Sequence, residues 1–293
     1  MAMTTDKITL PGEVATFVVK KAKDTSTIAT LSPSSPQIFT DKDYLIFNGK
    51  SEADVTTEGQ TKSSYEQDTT PVSAKRFKVQ TTTRVTSELQ WADEDNRLQI
   101  IEAIQNDQAG AIGRALDYVI YHAINPKSGA ALNGYDALNA KAVQVTATDD
   151  EISNVDALAD ALNDTYDISG IALSKTWASR LRKLRVPATG MRFYPEIPLN
   201  LQAGSLDGLT AATSGTVNGR LATTSTKTLA FMGDFSLIQW GMVRDITSEI
   251  IPYGDPDQTG VDLKAHNQIA YRTEAMFAYA VIDPSGFAVL KEA

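Results

Sequence analysis

The chain has 293 residues, 42% hydrophobic and 22% charged, enough apolar content for one large domain or two intertwined ones. Its 27 basic and 36 acidic residues leave a net charge of −9, which argues against tight duplex binding through a basic stripe. The absence of cysteine excludes disulfides, thiolate nucleophiles and Cys-based metal sites, and no apolar run approaches the roughly 18 residues of a membrane span.

The N-terminal MAMTTDKITLPGEV lacks the basic-then-apolar layout of a signal peptide. Residues 1–43 are rich in Thr, Ser and Lys and are interrupted by Pro33 and Pro36. They read as an extended arm with short strand-like patches at Ala15–Val19 and Thr27–Leu31. Tyr44–Asn48 is a short apolar strand, and from Gly49 to Pro71 the chain turns polar and aperiodic, as a loop tip does.

From Ser73 to Leu89 a period of two takes over. Phe77, Val79, Thr81, Thr83, Val85 and Leu89 alternate with Arg76, Lys78, Gln80, Thr82, Arg84, Glu88 and Gln90. As one ribbon this reaches on the order of 50 Å, several times the usual strand. Its apolar face is therefore expected to overrun its own domain and be covered by a neighbouring subunit. With the preceding strand it makes a hairpin arm.

Asp93, Glu94 and Asp95 open a helix that Asn125-Pro126 stops, with Leu98, Ile101, Ala109, Ile112, Leu116, Val119 and Ala123 forming one apolar stripe. Gly110 and Gly113 weaken its middle. A loop over Pro126–Asn139 leads to a helix at Val155–Tyr166, a buried strand at Gly170–Leu173, and a helix capped by Ser174 and running to Arg185. Residues 187–226 are rich in Pro, Gly, Ser and Thr, with VNGR at 217–220 as a hairpin turn. Strands follow at Leu229–Met232, Phe235–Trp240 and Ile246–Ile251, then a loop at Gly254–Gly260, a long apolar run from Asn267 to Val281, and a last strand at Phe287–Leu290. No internal repeat is evident, and the class is α+β.

The order of these elements, with GIALSKTW at Gly170–Trp177, GDFS at Gly233–Ser236, Val243–Ile250 and the closing Arg272–Leu290, resembles a tailed-bacteriophage major capsid protein of the Hong Kong 97 type. The likeness spans nearly the whole chain and rests on order and spacing; none of these stretches is a catalytic signature. It implies an N-terminal arm at 1–43 and an extended loop at 44–90 lying across a neighbour. A peripheral domain at 91–134 and 242–282 would hold the long spine helix. An axial domain at 135–241 and 283–293 would meet its copies at fivefold and sixfold axes. The implied function is self-assembly of pentamers and hexamers, in the host cytoplasm, into an icosahedral head around double-stranded DNA. Scaffolding and portal proteins are the implied partners; no long charged helical segment precedes the arm, so the scaffold is expected as a separate protein or as a segment removed by proteolysis. No cofactor, membrane or sequence-specific DNA contact is implied. Exposed strand edges fit this, being a liability unless another chain pairs with them.

Some members of that family join their subunits by isopeptide bonds, and the resemblance places three residue types accordingly. Lys62 sits at the loop tip in EGQTKSSYEQ, and Asn267 and Glu274 lie seven apart in HNQIAYRTEA. Such a bond needs a neutral amine, a carboxamide and a carboxylate that accepts protons in a dry site. The alternative is a solvated lysine and two ordinary strand residues.

His122 and His266 are too far apart in sequence for a ready triad or metal site, and packing or surface roles suit them. Asp255, Asp257 and Asp262 lack the glutamate of a calcium loop and read as a polar turn. Arg180, Arg182, Lys183 and Arg185 read as a solvated helix face, and Trp91, Trp177 and Trp240 as packing anchors. No phosphate-loop, dinucleotide, nucleophile-elbow or zinc-protease motif is present, so an enzyme is not expected. The rival readings are an encapsulin-like nanocompartment shell and a soluble acidic enzyme with an unfamiliar site.

Overall fold

The computed structural model of the chain describes residues 25–35, 43–47, 53–62, 64, 69–96 and 100–293; the strand-like patch at 15–19 lies outside them. The first element is a single helical turn, α1 (Ile28–Leu31), where a strand-like patch was expected. The β-branched residues there favour a strand, but a tertiary contact holds the turn, as described below.

β1 (Asp43–Phe47) and β2 (Thr69–Ser73) form a separate antiparallel pair with Leu45 opposite Pro71. Each strand of such a pair is an edge, where the missing proline N–H is tolerated. Residues 53–62 between them are exposed, without strand or helix.

β3 (Lys75–Thr86) follows after a break at Ala74, and α2 (Ser87–Asn96) begins where the ribbon was expected to continue. Next come α3 (Ile100–His122), α4 (Leu138–Lys141), β4 (Val143–Thr146), α5 (Glu151–Asp160), β5 (Gly170–Ser174) and α6 (Lys175–Lys183). The chain ends with β6 (Ser205–Leu206), β7 (Leu209–Ser214), β8 (Thr228–Gly233), β9 (Ile238–Ile251), β10 (Gln268–Val281) and β11 (Phe287–Lys291).

Two sheets result. One has the order β3-β10-β9, all antiparallel; the other is mixed, in the order β4-β11-β8-β5-β7-β6. α3 packs on β3 and β10. The odd-numbered residues of β3 face inward: Val85 is buried beside Ile100, Ile101 and Ile104 of α3, and Phe77 against Tyr135, Phe277 and Tyr279 of the same chain. The expectation that this ribbon needs a neighbour to hide its apolar face is therefore overturned for 77–85. The period of two was sound, but the cover is intramolecular.

The six-stranded sheet is covered on both faces, as a near-continuous apolar strand such as β5 requires. Ala172, Phe231 and Val289 face the cluster with α3 and Ile28, while Ile171, Leu173, Met232 and Leu290 face Trp177 and Leu181 of α6 and Leu158 of α5. Tyr121 of α3 stacks on Phe231 with ring centroids 4.4 Å apart. α3 thus serves both sheets and ties them together.

Other boundaries shift for local reasons. The helix expected over 93–125 is two helices, and the Asp93 carboxylate accepts from the first N–H groups of α3, Ile100 at 2.8 Å and Ile101 at 3.4 Å. α3 runs unbroken through Gly110 and Gly113. Ser174 caps α6 as expected, accepting from Trp177 N at 3.2 Å. β6 and β7 lie within the stretch expected to be irregular. Residues 217–220 form a turn but not a hairpin, because β5 sits between β7 and β8. The strands expected at 235–240 and 246–251 are one strand, β9, preceded by a short 3₁₀ turn that Asp234 caps.

Candidate functional site

Three of the buried polar centres in this fold involve titratable side chains. The first is Asp117 on α3, fully buried. It accepts from Ser26 Oγ at 2.6 Å, Thr27 N at 2.8 Å, Thr27 Oγ1 at 3.1 Å and Ile28 N at 3.2 Å, and also from Thr216 Oγ1. Burial raises its pKa, while these donors pull the other way without cancelling it. Tyr121, one turn on, shares Thr27 Oγ1 at 3.0 Å, and its hydroxyl is pushed well up by burial and by the Asp117 charge.

The second is His122 at the end of α3. Its Nε2 lies 3.0 Å from Val217 O and 3.2 Å from Thr216 O, and Asn139 Nδ2 donates to Nδ1 at 3.0 Å. Carbonyl acceptors on one side and an amide donor on the other fit the neutral Nε2–H tautomer. Desolvation lowers the imidazole pKa to about 4. This agrees with the expected packing role.

The third is Arg84, placed by periodicity on the polar face of β3 yet only 7% exposed. The loop between β9 and β10 folds over that face. Its Asp255 and Asp257 grip the guanidinium, whose Nη1 also donates to Val261 O at 2.9 Å. The bond to Asp257 is the main cause of a raised guanidinium pKa. Thr259 N at 3.0 Å and Gly260 N at 2.7 Å donate to Asp255, so the aspartates shape a turn around an arginine. The polar-turn reading of 254–262 gains a specific cation.

The residues considered for chemistry are spread out. Lys62 is exposed in the 53–62 segment. Asn267 is exposed, in a left-handed conformation (φ 50°), just before β10. Glu274 is half-buried on β10 and pairs with Lys78 Nζ at 2.7 Å. Seven residues along a strand span about 23 Å, so Asn267 and Glu274 of one chain do not share a site. His266 bonds locally, its Nδ1 lying 3.0 Å from Asp262 O. Arg180 is partnered by Glu292 and lies 3.8 Å from Glu151, so the basic stretch of α6 is only partly a solvated face. Trp177 and Trp240 are buried, but Trp91 is 59% exposed and is no packing anchor within the chain.

The remaining feature is an exposed edge. β9 ends the three-stranded sheet with residues 244–250 all exposed. Ile250 lies opposite Tyr271, and Ser248 bonds Thr273 at 3.1 Å, so Ile246, Ser248 and Ile250 share the face that carries α3. Ile246 and Ile250 are nonetheless 42% and 55% exposed.

A sequence model of the phage capsid family matches residues 7–292. The chain belongs to the phage capsid family. A solved structure from Mycobacterium phage Ogopogo is 32% identical, with a TM-score of 0.84 and full coverage of both chains. One from Gordonia phage Cozz is 27% identical, with a TM-score of 0.81 over 97% of this chain and 91% of the other. The capsid of an empty GTA particle, computed with C5 symmetry, shares the fold at 14% identity, with a TM-score of 0.65 over 99% and 97% of the chains. No curated protein matches. The capsid protein is thus a major shell component with the α+β Hong Kong 97-type fold, placed in the virion; the nanocompartment alternative is not favoured. For such a protein the functional site is its surface, and the three buried centres hold that surface in shape.

Proposed function

We propose that this capsid protein tiles an icosahedral head as pentamers and hexamers enclosing double-stranded DNA, without enzymatic activity or sequence-specific DNA contact. The peripheral part is 91–134 with 242–282, the axial part 135–241 with 283–293, and the limbs are 1–43 and 44–90, the latter rooted in the chain's own sheet by β3. Scaffolding and portal proteins are separate partners, and assembly takes place in the host cytoplasm.

The observation that carries this reading is the exposed edge of β9 with Ile246 and Ile250 uncovered, together with a β1–β2 pair that has no third strand among the described residues. Unpaired edges and uncovered apolar positions are what a copy of the same chain can satisfy. A net charge of −9 also suits a wall that must not adhere to packaged duplex. The test is to treat purified particles with nuclease and then open them. Protected double-stranded DNA is expected; a protein cargo in its place would overturn the reading.

A second reading concerns covalent joining, favoured by the exposure of both Lys62 and Asn267. The Lys62 amine of one subunit would attack the Asn267 carboxamide of another, forming an amide and releasing ammonia. A Glu274 carboxylate from a subunit other than the one supplying Asn267, after giving up Lys78, would take the amine's proton and pass it to the leaving nitrogen. Particles boiled in detergent would then run as a ladder; migration as monomer alone excludes the bond.

A further inference from the structure

Residues 26–35 cross the molecule as a strap whose attachments are few and specific. At one end Ser26, Thr27 and Ile28 supply four of the five hydrogen bonds that Asp117 accepts. At the other, Ser32 Oγ donates to Ile238 O at 2.7 Å, Trp240 Nε1 donates to Ser32 O at 3.1 Å, and Ser35 N donates to Trp240 O at 2.8 Å. The apolar attachment is Ile28, fully buried, with Leu31 partly so.

A helix of one turn has no stability of its own, so α1 exists only while docked. Among the described residues, the groups that bond Asp117 or Tyr121 beside it are neutral: Ser26, Thr27, Ile28 and Thr216. Burying an unpaired carboxylate is costly, and undocking returns that charge to water. The hydration regained offsets the hydrogen bonds lost, so the docked state is held by much less than its bond count suggests. When the strap leaves, α3 and the two sheets lose Ile28 from their shared core but keep their own strand pairing and the other apolar contacts of that cluster.

We propose that residues 26–35 form a detachable strap latched by Asp117, whose release frees these residues from α3 while the two sheets stay folded. This is an order–disorder device, set by one carboxylate, that decides whether the strap is tied to its own subunit. It does not rest on the shell reading, since its test is made on the purified chain.

Hydrogen–deuterium exchange on the full-length protein provides that test. In Asp117→Asn an amide NH₂ faces donors, and exchange of the 25–35 amides should rise at least tenfold, while peptides covering 112–122 and 228–233 change less than twofold. Ser26→Ala, which leaves the carboxylate in place, should give a smaller strap-confined rise of about fivefold. If strap exchange is unchanged in both variants, or if the 112–122 and 228–233 peptides lose protection together with it, Asp117 is no latch. Should Asp117→Asn fail to fold, Ser26→Ala alone decides, by a rise confined to the strap or none.

Discussion

Arg84 Nε donates to both carboxylate oxygens of Asp257, at 2.8 and 3.0 Å, across 173 residues of sequence. The pair joins the far end of β3 to the loop that links β9 and β10. Because the Arg84 side chain is 6% exposed and the Asp257 side chain 30%, losing either partner has unequal consequences.

Asp257→Ala leaves a buried guanidinium with Asp255 as its remaining carboxylate, and is expected to cost about 3 kcal/mol. Arg84→Ala leaves two half-exposed carboxylates that water can reach, and should cost less, about 2 kcal/mol. Denaturant unfolding of the purified protein measures both. Equal losses below about 0.5 kcal/mol would show the clamp to be idle.

His122 makes stability depend on pH in a definite direction. Its folded pKa of about 4 lies below the ordinary 6.5, so between those values the unfolded chain binds more protons. Stability is full above about 6.5 and falls as pH drops toward 4, by at most about 3 kcal/mol. His122→Gln should flatten that acid slope by about one proton. An unchanged slope would assign the acid sensitivity to other groups.

Gly233 closes β8 where it meets β11. A Cβ there would stand 2.3 Å from Gly286 O and 2.9 Å from Phe287 Cα, both backbone atoms that cannot yield cheaply. Gly233→Ala is expected to cost about 3 kcal/mol, at the upper end of overpacking effects. Gly204→Ala, with open space around its Cβ, is the control and should be nearly neutral. Thermal unfolding of the two variants compares them.

Ile246 and Ile250 test the surface in place of the core. Replacing both by Asp should change subunit stability by less than about 0.5 kcal/mol, since each is already exposed. Assembly should nonetheless fail, leaving capsomers or free subunits in sedimentation. Normal particles from the double variant would remove β9 from the interface.

Where periodicity alone decides, the fold was legible. The strand over 77–85, the buried strand at Gly170–Leu173 and the Ser174 cap appear as expected. It failed where a distant group intervenes. Thr27–Leu31 looks extended until Asp117, some 90 residues on, supplies acceptors for its N–H groups. Arg84 looks solvent-facing until a loop from the far side of the chain covers it. Asp117 itself carried no local signal, because a single carboxylate beside the apolar stripe of a helix can be read only once its donors are in place. Trp91 shows the converse: an aromatic after a strand suggests packing, yet its chain leaves it in solvent.

Negative-stain electron microscopy of the purified, full-length protein bears most directly on the claim that these surfaces exist to meet sister copies. Closed shells, or rings of five and six subunits, are the predicted result. A monodisperse 31.7 kDa particle that never associates at high concentration would contradict it.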